Sequence, residues 1–475
     1  MEYDVVIGLE THIELNTKTK VFCGCVNEFG GEPNTHCCPV CIGLPGALPR
    51  VNLEAIKKTI TMGLITYCDI TREFYFDRKH YFYPDLAKSY QISQDNTPIC
   101  KNGYLEVNDK LGNLKKIRIR QIHLEEDAGK LIHSNTGETF VDYNRGGVPL
   151  IEIVSQPDMS SVEEAIEYVE TLKELAKFAG VSDVKMEQGS LRCDVNVSLR
   201  PVGQEEYGVK VEMKNINSFK AIERAIRYEI KRQTEILNAG GTILPETRRF
   251  DDAKGESFSM RTKEGAKDYR YMPEPDISKT IVSDEMLEDI KRNIPPLPNE
   301  IKSKLMEEYG LNEYDANLIA KSKEIYTFFF DVAKCYDKPK KIANWITSEI
   351  NKKINSELME EVNIPVDAIE FAKMLNLLDD NQISQAGART ILLELWGSQK
   401  STEEIIEEMH LRLENNDDEL EKIIEEIIKN NEKCVNDYKN GNQKAFAFFV
   451  GQVMKATKGQ ANATTVNEML KKHLS

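Results

Sequence analysis

Gly8-Leu-Glu-Thr-His-Ile-Glu14 reads as an extended strand, because its charged and apolar residues alternate with a period of two. Glu10, His12 and Glu14 then share one face, with Leu9 and Ile13 on the other. Three titratable groups on one strand face are either a solvated polar surface or one wall of a site. The same alternation returns in Asp194-Val-Asn-Val-Ser-Leu199 and in Gly208-Val-Lys-Val-Glu-Met213. These two runs are expected to pair as a hairpin or to lie as neighbours.

Two helices interrupt the strands. One is expected from about Ser161 to Gly180, with Ser161 as N-cap, Glu164 three residues on and Gly180 as its stop. The other is expected from about Ser218 to Ala239, where Ile222, Ile226 and Ile230 stack four apart before Gly240-Gly241. Ile294-Pro-Pro-Leu-Pro298 ends this mixed pattern, since proline does not continue a helix. Downstream the pattern is helical, with a second break at Gly397-Ser-Gln-Lys-Ser401. The expected fold is an α+β N-terminal domain with a mixed or antiparallel sheet (residues 1–293), then an all-α helical domain (294–400) and a small all-α tail domain (401–475). The tail is polarised. Ser401–Lys433 holds twelve Asp/Glu against four Lys/Arg, and Cys434–Ser475 holds six Lys against two acids.

A chain of 475 residues, 40% hydrophobic and 29% charged, fits two to four globular domains. Residues 1–15 mix charges with apolar positions, and no stretch reaches the roughly 18–20 apolar residues of a membrane span, so neither secretion nor insertion is expected. A net charge of −16 argues against nonspecific coating of nucleic acid and leaves room for local basic surfaces only. Five of the ten cysteines lie between Cys23 and Cys41, and the others have no disulfide-like spacing, as in a reduced, cytoplasmic protein.

Cys23-Gly-Cys25 and Cys38-Pro-Val-Cys41 are two close thiol pairs with twelve residues between them. Four thiolates from two short turns suit a closed, structural, tetrahedral zinc site. Cys37 and His36 stand alongside, so the residues alone leave open which thiols would ligate, or whether all are free. Acids form a second set: Glu10 and His12 on the opening strand, Glu125 and Glu126 in His123-Leu-Glu-Glu-Asp-Ala-Gly129, Glu152 among Ile151, Ile153 and Val154, Asp194, and Glu212. Converging carboxylates repel unless a cation compensates, and a hard divalent ion such as Mg²⁺ is the simplest one. The alternative is separate salt bridges on a wet sheet face. A third set mixes cations, aromatics and amides in Lys79-His-Tyr-Phe-Tyr-Pro-Asp-Leu-Ala-Lys-Ser-Tyr-Gln91 and in Tyr143-Asn-Arg-Gly-Gly-Val-Pro149. Arg248, Arg249, Arg261, Lys263 and Arg270 add to it. Such groups hold phosphates and stack on a base, or else simply pack loops. No G-x-x-x-x-G-K-[ST] loop or G-x-G-x-x-G fingerprint occurs, so any nucleotide is held in another way. Lys455, Lys458, Lys471 and Lys472 face either a phosphate backbone or solvent.

Several of these stretches are long and ordered: Ile7-Gly-Leu-Glu-Thr-His12, Cys38 to Pro49, Lys79 to Leu86, His123 to Lys130, Asp142-Tyr-Asn-Arg145, Arg192 to Asn196, Glu212 to Ser218, Arg270 to Asp276 and Val450 to Gly459. In them the chain resembles the B subunits of bacterial tRNA-dependent amidotransferases over nearly its whole length. Cys37 beside the zinc motif, and Met272 where Phe is common, depart from the family pattern. The resemblance implies the B part of a three-part ligase whose other members are the A and C subunits. That enzyme converts misacylated Glu-tRNA(Gln) to Gln-tRNA(Gln), and often Asp-tRNA(Asn) to Asn-tRNA(Asn). The A subunit releases ammonia from glutamine. The B subunit uses ATP to phosphorylate the side-chain carboxylate, and ammonia displaces the phosphate.

The resemblance also implies residue roles. Glu10, His12, Glu125, Glu152, Asp194 and Glu212 would form the Mg²⁺ group, with His12 and Glu152 acting through water. Glu125 would stand at the end of an ammonia tunnel and deprotonate ammonium, while Lys79 and Lys88 steady phosphate or the tunnel mouth. Tyr81, Tyr83, Ser89, Gln91, Asn144 and Arg145 would hold the nucleotide. Cys23, Cys25, Cys38 and Cys41 would bind structural Zn²⁺, and the tail lysines would meet tRNA. A non-catalytic tRNA-binding scaffold and a free-standing metal-dependent hydrolase are the rival readings.

Overall fold

The structure, a computed structural model, describes residues 2–109, 111–216, 218–262, 269–356, 362–413, 417–431, 434–435, 438, 443–457 and 463–474. Two compact units divide the chain, Met1–Leu297 and Pro298–Ser475.

A nine-stranded sheet organises the first unit. Its strands are β1 (Tyr3–Glu14), β2 (Asp69–Ile70), β3 (Cys100–Asn108), β4 (Leu114–Glu126), β5 (Pro149–Ser155), β6 (Leu191–Pro201), β7 (Val211–Ile216), β8 (Glu246–Asp251) and β9 (Glu256–Thr262), in spatial order β9-β8-β7-β6-β1-β5-β4-β3-β2. All neighbours are antiparallel except β7 and β8, so the sheet is mixed. The runs at 194–199 and 208–213 are neighbours as expected, with Val195 opposite Met213 and Asn196 opposite Glu212.

The opening strand lies at the centre of this sheet, and its alternation decides the layers. Ile7, Leu9, Thr11 and Ile13 are buried on one face with Ile122, Leu124, Ile151, Ile153, Val195 and Val197. Against that face pack α1 (Leu53–Ile65), α2 (Val162–Phe178) and α3 (Phe219–Asn238), through residues such as Ile60, Tyr168, Leu172, Ile222 and Ile226. Each such aliphatic side chain contributes about 1.5–3 kcal/mol by leaving water. Ser161 is the N-cap expected from the sequence, and Ser218 caps the third helix. Ser161 accepts from Glu164 N, and Ser218 accepts from Ala221 N, so both helices start with a satisfied donor. With one face covered by helices, the polar residues of the same strands share the other.

A three-stranded sheet of Asp77–His80, Tyr90–Ser93 and Met272–Pro273 carries the Lys79 and Arg270 stretches. Arg78 clamps Glu274 with two hydrogen bonds of 2.7 and 2.8 Å. The cysteine stretch lies mostly in turns, and Gly43 lets it approach the 85–88 loop. With φ +69°, a β-carbon at Gly43 would stand 2.7 Å from Lys88 Cγ.

The second unit is helical. Its larger core includes Ile301, Phe329, Trp345, Phe371 and Ile391. Helix Thr402–Met409 begins with a capping box between Ser401 and Glu404, and Thr402 N and Oγ1 bond to Glu370 in helix Ala368–Asp379. A separate small core joins Leu420, Ile424, Phe449, Val453, Val466, Leu470 and Leu474. Among the described residues no helix is long and apolar enough to cross a membrane.

Candidate active site on the polar sheet face

Strand register, not sequence proximity, assembles the site. Residues directly opposite one another in antiparallel strands point to the same face. His12 is opposite Glu152 on β5 and Arg192 on β6, Glu10 is opposite Asp194, Glu152 is opposite His123 on β4, and Asn196 is opposite Glu212. Acids from five strands, β1, β4, β5, β6 and β7, therefore meet on one surface, in two groups.

His12, Glu125 and Glu152 offer ligand atoms all within 4.8 Å of one another, and so do Glu10, Asp194 and Glu212. In the first group His123 Nε2 lies 3.1 Å from Glu152 and 3.5 Å from Glu125, and His12 Nε2 lies 3.8 Å from Glu152. Ser93 Oγ donates to Glu125 at 3.1 Å. Burial opposes a charge on His123, but Glu152 and Glu125 outweigh it and lift its pKa to about 10. The same pairing keeps Glu125 and Glu152 below the usual carboxylate range despite burial. In the second group Lys214 binds both Asp194 and Glu212, the latter at 3.0 Å. Glu10 accepts from Asn196 Nδ2 at 3.1 Å, and burial together with Glu152, Glu212 and Asp194 raises its pKa.

Both groups fit a hard divalent ion. Each brings oxygen donors together in a partly buried place, and each is compensated by a cationic side chain, which is what crowded carboxylates require. His123 and Lys214 were not singled out from the sequence. The available signals were local ones: His123 is two residues before Glu125 and Lys214 two after Glu212, so each shares a face with its acid. The facing strands that make these positions matter are distant in sequence.

The other expected residues divide. Lys79 lies over the Tyr269 ring at 5.0 Å and, against burial, is held charged by the fields of Glu125, Tyr271 and Glu152. Tyr81 packs edge-on to Tyr269 at 6.2 Å. Lys88 instead grips Glu126 at 2.5 and 2.6 Å, and Gln91 donates to the Glu126 carbonyl at 2.7 Å, one residue beyond the Glu125 site. Tyr83 and Ser89 lie at least partly open to solvent. Asn144 and Arg145 spend their side chains on the fold. Asn144 accepts from His36 N and donates to the Glu32 carbonyl, and Arg145 donates to the carbonyls of Ala128 and Gly129. A cavity of about 260 Å³ opens beside Glu10 instead, lined by Gly8, Ser155, Asn196, Arg120, Tyr207 and Lys210 among others. Among the described residues the buried Asn196 Oδ1 has no hydrogen-bond partner.

The four cysteines Cys23, Cys25, Cys38 and Cys41 also converge, with sulfurs all within 4.8 Å. Cys37 is not one of these four, and its Sγ donates to Asn144 Oδ1 at 3.8 Å. Hydrogen bonding from Cys23 and from Cys38 N, with Lys20 nearby, lowers the Cys41 thiol to about 4 against the cost of burial. Four sulfurs in this spacing fit tetrahedral zinc. Lys455, Lys471 and Lys472 are exposed near the ends of helices Gln443–Ala456 and Ala463–Leu474, and Lys458, Arg261 and Lys263 lie outside the residues whose side chains are described.

The family model of the GatB/GatE catalytic domain matches residues 5–288, and that of the GatB domain matches residues 327–474. The B subunit of the aspartyl/glutamyl-tRNA(Asn/Gln) amidotransferase of Thermoanaerobacter sp. strain X514 is 52% identical over 475 residues, covering 100% of both chains. The chain belongs to this family of amidotransferase B subunits. The B subunit of Caldicellulosiruptor saccharolyticus is 49% identical over 478 residues, covering 100% of this chain and 99% of its own. One from Clostridium acetobutylicum, numbered B 1, is 46% identical over 475 residues, covering 99% and 98%. The two acid groups of this amidotransferase chain lie wholly within the catalytic-domain match.

Proposed function

We propose that this chain is the kinase and transamidase part of a cytoplasmic, three-part ligase, working with a glutaminase (the A subunit) and with a C subunit. Its substrate is misacylated Glu-tRNA(Gln), and Asp-tRNA(Asn) where that species is made. The observation that carries this reading is the meeting of two acid groups on one sheet face, one with a histidine and a half-buried lysine close by.

A carboxylate is a poor electrophile, so amide formation needs its oxygen converted to a leaving group. Transfer of the γ-phosphoryl of ATP to the side-chain carboxylate does this, and releases ADP. Ammonia then attacks the acyl carbon, and phosphate leaves. The first step presses anions together. Mg²⁺ held by Glu10, Asp194 and Glu212, and by His12, Glu125 and Glu152, would screen that repulsion and orient the phosphates. Lys79 adds a fixed positive charge beside Glu125 and Glu152. Glu125, held as a carboxylate, accepts the proton that ammonium must lose before it attacks. The nucleotide base and ribose seat in the cavity beside Glu10, where Asn196 Oδ1 awaits a donor and Arg120 and Lys210 supply positive charge. Cys23, Cys25, Cys38 and Cys41 would hold a structural Zn²⁺ that would brace the loops they lie on. Residues 1–293 act as the catalytic cradle, and the helical and tail regions lie along the tRNA, with the tail lysines on its phosphates.

The test is amide formation by the complex of this chain with its A and C partners, using ATP and Glu-tRNA(Gln) with ammonium as donor. Glu125→Gln is expected to lower the rate by roughly 10²-fold or more while tRNA still binds. An unchanged rate refutes catalysis here and leaves the chain a tRNA-binding scaffold. Activity without ATP or tRNA would instead reveal a hydrolase.

A further inference from the structure

Lys20 is 0% exposed. An ammonium in such a place is costly unless an anion answers it. Its Nζ donates to the Tyr143 carbonyl at 3.1 Å and to Cys41 Sγ at 3.7 Å, and no carboxylate pairs with it among the described residues. Of its two partners only the cysteine can carry negative charge. The stem of Lys20 and the side chain of Cys41 both meet the chain at Gly147. A β-carbon built at Gly147 would stand 3.5 Å from both Cys41 Cβ and Lys20 Cδ.

We propose that Lys20 is the charge-balancing positioning residue of the four-cysteine site. This rests on the zinc reading above. Four thiolates on a divalent ion leave a net charge of about −2 in a half-buried place. The ammonium reduces it to about −1 and donates to the one sulfur it reaches.

Lys20 also joins the metal loops to the acid-bearing strand. Tyr143 belongs to the segment in which Gly147 N donates to the Asp127 carbonyl at 2.9 Å, and in which Arg145 holds the carbonyls of Ala128 and Gly129. Val21, next to Lys20, donates to the Gly147 carbonyl at 2.9 Å. Asp127 follows directly on Glu125 and Glu126, so loading of the cysteine site sets the end of β4.

The test compares wild type with Lys20→Met, which keeps an unbranched side chain one atom shorter and removes its charge. Zinc affinity of the full chain in its complex is measured by competition with a coloured chelator. Lys20→Met is expected to bind zinc roughly 10–100-fold more weakly, the usual effect of losing an outer partner of a metal ligand. Its cobalt-loaded form should still give the sulfur-to-cobalt absorption of four thiolates. Equal affinity in a folded variant overturns the role of Lys20. A wild type that takes up no zinc overturns the zinc reading with it, and the two failures are thus distinct. A second comparison needs no change at Lys20. In chelator-stripped protein Cys41→Asp supplies a permanent anion and should melt at a higher temperature than Cys41→Ser. Equal melting contradicts the pairing.

Discussion

His123 shows how much one buried side chain carries. It lies between Glu125 and Glu152, two carboxylates that the sheet forces together. Removing one partner of a buried charged pair costs about 3–5 kcal/mol, because the remaining charge has no answer. His123→Leu is therefore expected to lower the thermal midpoint of metal-free protein by several degrees. Added Mg²⁺ should recover more of that loss in the variant than it raises the wild type, since the ion replaces the missing cation. Equal Mg²⁺ responses in a melting experiment contradict this. Glu10, His12 and Glu14 were legible in the sequence because alternation is local. His123 and Lys214 were not, because their importance comes from Glu152 and Asp194, which lie on other strands. Lys20 gave no sequence signal at all: its anion is 21 residues away, across a turn-rich loop.

At the scale of elements, helix starts were the legible part. Ser161 announces its helix as N-cap, and the second helix starts near Ser218 as its isoleucine spacing implies. Strand order was not legible, because nothing local tells β1 to lie between β5 and β6. In the helical unit the end of helix Ala368–Asp379 meets the start of helix Pro339–Trp345 through one acid. Asp379 receives Tyr336 Oη at 2.6 Å and Lys338 Nζ at 2.7 Å, and also Lys341. Burial alone would raise its pKa, but these three hydrogen bonds hold it well below the usual range. A depressed folded pKa means stability that is fully present above the unfolded value of about 3.9 and is lost as pH falls toward the folded one. The gap in thermal midpoint between wild type and Asp379→Asn should thus be full near neutral pH and close progressively below about pH 4. A gap independent of pH down to the acid limit contradicts this assignment.

For the whole molecule, the net charge of −16 and a tRNA substrate are compatible only if contact is local. Lys455 and Lys471, exposed near helix ends in the tail, are the surface proposed above. Lys455→Gln with Lys471→Gln should weaken tRNA binding, and should flatten its dependence on log salt by roughly 0.7–0.9 for each phosphate that is no longer neutralised. A weaker complex with an unchanged salt slope would assign these lysines to folding instead. The catalytic half makes a sharper claim, that the polar sheet face itself transfers phosphate. The most direct measurement follows label from γ-³²P-ATP into the acyl group of Glu-tRNA(Gln), in the three-part complex without an ammonia donor. Wild type is predicted to accumulate labelled acyl-tRNA, and Glu10→Gln to bind tRNA but transfer almost none. Labelling by Glu10→Gln at the wild-type rate would contradict the account.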